Sequence, residues 1–211
     1  MIVTFCLQED TGEVSSVERA RYTIGSVRKN IPGAKIVQLS NDTFPGIEGV
    51  DEVLRHPYRG DFIMWGFGAM IKLCERPENI LQIATDVLVC KNVRDVFNDD
   101  FHVAACRYPA KDRNDNAFCG DVDFIKPGGG EIFNQALAVY QSFRVKDGWE
   151  GGQTAFLRAT IDTSLTIKEL DYDTYCRTPD KQQDNLDEAA LIHFRGPRKL
   201  WMIDYAKTKG Y

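Results

Sequence analysis

Two periodicities of apolar and polar positions alternate along this chain, and the switches between them mark its elements. Residues 1–7 are a nearly continuous apolar run, which predicts a strand buried on both faces. Val17, Ala20, Ile24 and Val27 then recur at helical spacing. Ser15 or Ser16 is the N-cap, Glu18 lies in the first turn, and Asn30-Ile31-Pro32-Gly33 stops the helix. Residues 34–39 read as a second strand. Strand, helix and strand in that order predict a right-handed crossover, the opening unit of an α/β sheet whose ligands sit at the strands' carboxyl ends. On that rule Thr4 and Cys6 lie near a ligand, or they simply pack. A Gly/Pro/Asn loop covers 40–49 and a short strand 50–54. A helix over 61–74 carries Phe62, Trp65, Phe67, Met70 and Ile71.

Farther along, residues 79–90 hold two short apolar runs separated by Thr85-Asp86. A carboxylate in a break between buried segments is costly unless it is paired or metal-bound, although an aspartate can also bond the backbone of a turn. Residues 102–106 read as a strand and 107–116 as a charged loop over a site. Over 118–127, Val122 and Phe124 alternate with Asp123 and Lys126, which suits a strand with one solvated or site-facing side. Gly128-Gly129-Gly130 follows a proline and lacks a downstream Lys-Ser/Thr, so it reads as a turn and not a phosphate loop. An amphipathic helix fits 131–143 and a strand 165–170. Residues 171–187 are polar, with Tyr172, Tyr175 and Arg177 in a surface or acceptor-facing loop. Residues 201–211 close the chain as an amphipathic segment with Lys207 and Lys209 exposed.

The stretch Leu191–Trp201 carries the densest chemistry. A short apolar strand ends on His193 and breaks into Gly196-Pro197, with Arg195, Arg198 and Lys199 close by. An imidazole can ligate a divalent metal, a lysine offers a point charge to phosphate oxygens, and a glycine lets backbone approach a ligand. These groups suit a metal-bound diphosphate; a solvated basic turn beside a packed histidine is the alternative.

Composition narrows the picture. A chain of 211 residues supports one sizeable core, and without repeat or linker it reads as a single domain, 1–211. The hydrophobic share of 43% and charged share of 27% are those of a soluble globular protein. No apolar run reaches the ~20 residues of a membrane helix, so no membrane insertion is expected. The first residues carry no positive n-region. Six scattered cysteines without zinc spacing point to a reducing, cytoplasmic setting. A net charge of −5 disfavours a long nonspecific duplex-binding surface and leaves room for a local basic patch.

Taken together, the Thr-Asp break and the histidine loop resemble the Asp-x-Asp strand and the His-x-x-Gly-x-x-Lys-x-Trp loop of the glycogenin and galactosyltransferase-like (family eight type) glycosyltransferases. The loop is complete in His193, Gly196, Lys199 and Trp201, whereas the leading aspartate of the strand is Ala84. Other pieces follow in the family's order. Lys72 is similar to a basic residue on the helix before the Asp-x-Asp strand, and 93–97 to the short helix after it. Residues 118–127 resemble a strand usually opened by Asn-Ser-Gly, with Cys119 and Asp121 at the outer positions. Gly152-Gln153 resembles an Asp-Gln helix start.

The resemblance implies a single-domain α/β protein with the GT-A fold, a Rossmann-like mixed sheet flanked by helices, of a small bacterial or phage-like type. It implies transfer of a sugar from a nucleotide diphosphate-sugar, usually a UDP-sugar, with retention of configuration and a divalent metal, Mn2+ or Mg2+. Asp86 and His193 are then metal ligands. Thr4, Cys6, Lys72, Thr85, Gly196 and Lys199 meet the nucleotide or its phosphates. Gln153, Asp121 and Asp123 face the transferred sugar, the two aspartates or Glu150 replacing the carboxylate missing at Gly152. The acceptor is a glycan, a protein or a nucleic-acid base. A relative that binds nucleotide or glycan without turnover is the alternative implied by Ala84 and Gly152.

Overall fold

The computed structural model describes residues 1–7, 9, 15–57, 61–109, 118–143 and 148–211. Most of the charged loop expected at 107–116, and the side chain of Glu150, lie outside them.

The apolar opening run is β1 (Ile2–Cys6), flanked by β2 (Lys35–Ser40) and by β4 (Ile80–Ile83), parallel to both. β3 (Glu52–Arg55) continues the parallel set beside β2. β7 (Phe118–Ile125) runs antiparallel to β4 and to β6 (Val103–Arg107), and β8 (Ile167–Leu170) closes the far edge parallel to β6. The sheet has seven strands in the order β3-β2-β1-β4-β7-β6-β8. This mixed α/β sheet is the architecture the sequence predicts.

Helices cover both faces because each presents one apolar stripe. α1 (Ser16–Asn30) starts where the Ser15 hydroxyl accepts from the Glu18 amide, and buries Ala20, Ile24 and Val27. α2 (Phe62–Leu73) is capped by Asp61, which accepts from the Met64 amide at 2.9 Å, and buries Trp65, Ala69, Met70 and Leu73. α3 (Glu131–Phe143) and α4 (Gly148–Ile161) pack beside α2 on the same face. The glycine triplet ahead of α3 is a turn. The Gly129 amide bonds the Lys126 carbonyl, and a Cβ on Gly129 would stand 2.3 Å from the His102 carbonyl oxygen.

A separate two-stranded ribbon pairs β5 (Val87–Val89) with β9 (Leu191–His193) antiparallel. The polar stretch 171–187 is anchored to this ribbon and is not a free surface loop. It contains a short helix, α5 (Tyr172–Tyr175), and a bridge from Arg177 to Ile192. The Ala190 amide bonds the Thr174 carbonyl, and Cys176 is wholly buried. The closing helix α6 (Lys199–Lys209) starts two residues earlier than the sequence suggests, directly after a Gly-Pro-Arg turn, and buries Met202 and Ala206 against α1 and β9. Among the described residues, no helix is long and apolar enough to cross a membrane.

Candidate active site

A cleft of about 830 Å3 opens at the carboxyl ends of β1 and β4, between α2, the first turns of α4 and the β5–β9 ribbon. The ribbon explains how two distant stretches meet. Val87 is the register partner of His193, and the Phe194 amide donates to the Asp86 carbonyl at 2.9 Å. Asp86, one residue before β5, therefore stands beside His193, the last residue of β9. Its carboxylate Oδ1 is 3.4 Å from His193 Nε2, and Oδ2 is 3.3 Å from Lys199 Nζ. Lys199 arrives at that place because Gly196 adopts φ +61° in the turn before α6, a left-handed conformation that a glycine accepts without a Cβ penalty.

Asp121 approaches the same imidazole from β7, with Oδ2 3.7 Å from His193 Nε2. Its other polar neighbours are distant: the Tyr108 hydroxyl at 3.4 Å and Cys119 Sγ at 3.8 Å. The opposite edge of the ring, Nδ1, faces two buried thiols, Cys119 at 3.7 Å and Cys176 at 3.9 Å. The sulfurs are 2.9 Å apart. One edge of His193 is thus set in oxygen ligands and the other in sulfur.

Charge and burial set these groups apart. Burial pushes the Asp86 carboxyl up, but the charges of His193, Lys199 and Arg19 outweigh it and hold the group at about 2. Burial also pushes Asp121 up. The attraction of His193 only partly offsets this, the neighbouring Cys119 and Asp86 charges add to it, and Asp121 rests at about 7. Burial disfavours a charged imidazole, yet Asp121 and Asp86 together hold His193 well above its usual range. Asp123 is pushed well up by burial first and by Cys119 and Asp121 next.

Several expected site residues line the cleft: Cys6, Thr85, Asp86, Asp121, Asp123, Gln153, His193, Gly196 and Lys199. Two do not. Thr4 is wholly buried and donates its hydroxyl to the Val37 carbonyl at 2.8 Å, so it packs between strands. Lys72 projects from α2 away from the cleft and pairs with Glu75 at 2.6 Å, the commoner state of a lysine on a helix's outer face.

The cleft also holds residues that sequence reasoning passed over. Arg19 lines it from α1 at 6% exposure, and its charge reaches Asp86. The available signal was a cation on the buried stripe of α1, between Ser16 and Thr23. Gln82 on β4 is the register partner of Asp123. Among the described residues, Gln82 Oε1 and Asp123 Oδ1 are buried without a hydrogen-bond partner, two acceptors facing the cleft. The wall opposite them is apolar: Phe62, Ile63, Phe67 and Met70 from α2, with Phe133 and Phe156 behind.

A divalent cation fits the oxygen edge of His193. Two carboxylates, one from the turn before β5 and one from β7, lie within 4 Å of one imidazole nitrogen, and carboxylate with imidazole is a donor set for Mn2+ or Mg2+. Among the described residues, the group whose three ligand atoms already lie within 4.8 Å of one another is instead Cys119, Cys176 and His193. The carboxylates therefore have to close around an ion by side-chain rotation. The sulfur edge suits only a soft metal.

No family model matches the chain. A segment of 66 residues is 35% identical to the UvrABC system protein C of Pseudomonas savastanoi pv. phaseolicola, covering 28% of this chain and 11% of that protein. Solved structures match over nearly the whole length. A galactosyltransferase, LgtC, bound to donor and acceptor sugar analogues, aligns with a TM-score of 0.64 at 12% identity, over 99% of this chain and 96% of its own. A glycosyltransferase involved in glycosylation of the major capsid of PBCV-1 aligns at 0.61 and 13%, over 99% of this chain and 100% of its own. The glycosyltransferase GlyE of Streptococcus pneumoniae TIGR4 aligns at 0.65 and 16%, over 97% of this chain and 59% of its own. Over nearly its whole length this chain has the GT-A fold of the LgtC-type glycosyltransferases.

Proposed function

We propose that this protein transfers a sugar from a nucleotide diphosphate-sugar, a UDP-sugar by resemblance, to an acceptor hydroxyl with retention of configuration. The observation that carries the reading is the meeting of Asp86, His193 and Lys199 at the carboxyl ends of the parallel strands. Glycosyl transfer needs stabilisation of a diphosphate that leaves with negative charge, and an acceptor held in line. Lys199, Arg19 and the Gly196 backbone supply donors and charge to the phosphates. Asp86 and His193 would hold a divalent cation, which acts as a Lewis acid on the leaving group. Gln82, Asp123 and Gln153 present acceptors and donors to the sugar, against the apolar wall of α2. The acceptor's proton passes to the departing phosphate, so no enzyme base is required. The acceptor is a glycan, a protein or a nucleic-acid base.

A reading without turnover has one observation in its favour. A Cβ on Gly152 would lie 2.8 Å from Ile63 Cγ2, so Ile63 fills the space that a side chain at 152 would need. Thermal-shift binding of UDP, GDP and a panel of sugar nucleotides, each with and without Mn2+, tests both readings, because a ligand of the native state raises its apparent stability. A Mn2+-dependent UDP signal with consumption of one UDP-sugar supports transfer. A UDP signal with every UDP-sugar left intact supports binding alone, and silence across the panel overturns both.

A further inference from the structure

The β4–β7 register continues one step beyond the end of β4. Ile83 pairs with Val122, and the Ala84 amide then donates to the Asp121 carbonyl at 3.0 Å. Residues 84 and 121 are therefore opposite one another across two strands. Side chains so placed leave the sheet on the same face, with Cβ atoms about 4.5–5.5 Å apart. The carboxylate at 121 thus stands across from the strand position that lacks one at 84.

We propose that Asp121 supplies the carboxylate that residue 84 lacks, so that Asp86, Asp121 and His193 form one divalent-cation site spanning the β4–β5 break, β7 and β9. The inference rests on the metal-dependent reading above and adds to it a ligand that the sequence motif does not contain. Geometry supports it three ways. His193 Nε2 lies 3.4 Å from Asp86 Oδ1 and 3.7 Å from Asp121 Oδ2. Ligands bound at about 2.1 Å to an octahedral cation stand about 3 Å apart, so each carboxylate is already close to that spacing from the imidazole, and side-chain rotation has to bring the two carboxylates toward one another. Asp121 is 3% exposed, and its neutral polar neighbours are at 3.4 Å and beyond, loose contacts for a buried acid. The register shift between β6 and β7 at Ala105/Arg107 falls beside this stretch, where a bulge re-aims side chains.

A sugar-contact role for Asp121 and an ion at the sulfur edge make different predictions. As a sugar contact Asp121 would affect UDP-sugar binding and leave Mn2+·UDP binding alone. If instead the ion sat at the sulfur edge, Cys119 would govern affinity.

The test is calorimetric and electron-paramagnetic measurement of Mn2+ binding to the full chain in the presence of UDP, with no sugar and no turnover. Asp121→Asn is expected to weaken Mn2+ by at least about 10-fold, the scale of losing a ligating or ligand-orienting group. Ala84→Asp combined with Asp121→Asn is expected to restore affinity to near the parent's, because the carboxylate returns from the opposite strand. That recovery also shows that the fold survives the asparagine. Cys119→Ser is expected to leave Mn2+ affinity unchanged. Unaltered Mn2+ affinity in Asp121→Asn, with loss in His193→Ala, overturns the assignment of Asp121 and leaves the transferase reading standing. If the parent chain binds UDP equally with and without Mn2+, the metal-dependent reading and this inference fall together. If it binds no UDP, the proposed function itself fails.

Discussion

Ala84 and Asp121 share a backbone hydrogen bond of 3.0 Å across β4 and β7, so the strand position without a carboxylate faces one that carries it. The pairing connects the departure from the motif to the chemistry of the cleft. It also places Asp121 against the imidazole that Asp86 already approaches from the neighbouring break.

His193 joins every part of this arrangement: oxygen ligands on one ring edge, thiols on the other, and the β5–β9 ribbon behind it. His193→Ala is expected to lower Mn2+-dependent UDP affinity by about 100-fold or more, as loss of a direct ligand exceeds loss of a supporting group. Titration calorimetry with and without Mn2+ reads the effect, and unchanged Mn2+ dependence removes His193 from the site.

Arg19 is a buried cation at the cleft, with its charge directed at Asp86. Arg19→Ala is expected to weaken UDP binding about 10-fold or more, since a hydrogen bond to a charged group contributes about 1.5–3 kcal/mol. Arg19→Lys should recover part of that loss and show a steeper salt dependence, because it keeps the charge without the fork. Equal UDP affinity in parent and alanine variant would limit Arg19 to balancing Asp86.

Ile63 occupies the space beside Gly152. Gly152→Asp is therefore expected to destabilise the fold by about 1–3 kcal/mol through overpacking. Ile63→Ala in the same chain should relieve it, giving a favourable coupling in a double-mutant cycle. Additivity within about 0.5 kcal/mol would show that the two positions do not meet as described.

Glu52 on β3 is held by Arg76 and Lys35, the former bidentate and the latter at 2.7 Å. The Arg76 and then the Lys35 hydrogen bonds bring its carboxyl down from 4.5 to about 2, against a smaller opposing effect of burial. A depressed carboxyl contributes stability that is complete above its ordinary value and lost as pH falls through the lowered one. After screening, the contribution is about 1 kcal/mol, or about 2–4 °C in a chain of this size. Glu52→Gln should lower the melting temperature by that much at pH 7. The difference should shrink below pH 4.5 and vanish only below about pH 2. A difference independent of pH would assign the loss to packing.

The order of strands and helices was legible because burial imprints its period locally. The run at 1–7, the stripe of α1 and the apolar segments on either side of Thr85-Asp86 each carry their own pattern. Asp86 and His193 stood out as candidates for a related reason: a polar group at the end of a buried strand is costly without a partner, and that cost is visible in one dimension. Register, by contrast, is a contact between distant segments. The pairing of Ala84 with Asp121, the filling of the Gly152 position by Ile63, the approach of Arg19 to Asp86 and the anchoring of 171–187 on β9 all depend on it. Thr4 and Lys72 were misplaced on the same account, because a strand's direction does not say which residues face the ligand and a helix's position does not say which face it turns inward. The chain's own pattern determined that an α/β sheet would form with its ligand edge at the strands' carboxyl ends, and the resemblance of its motifs implied the GT-A type. Strand pairing and helix packing decided which charges meet there.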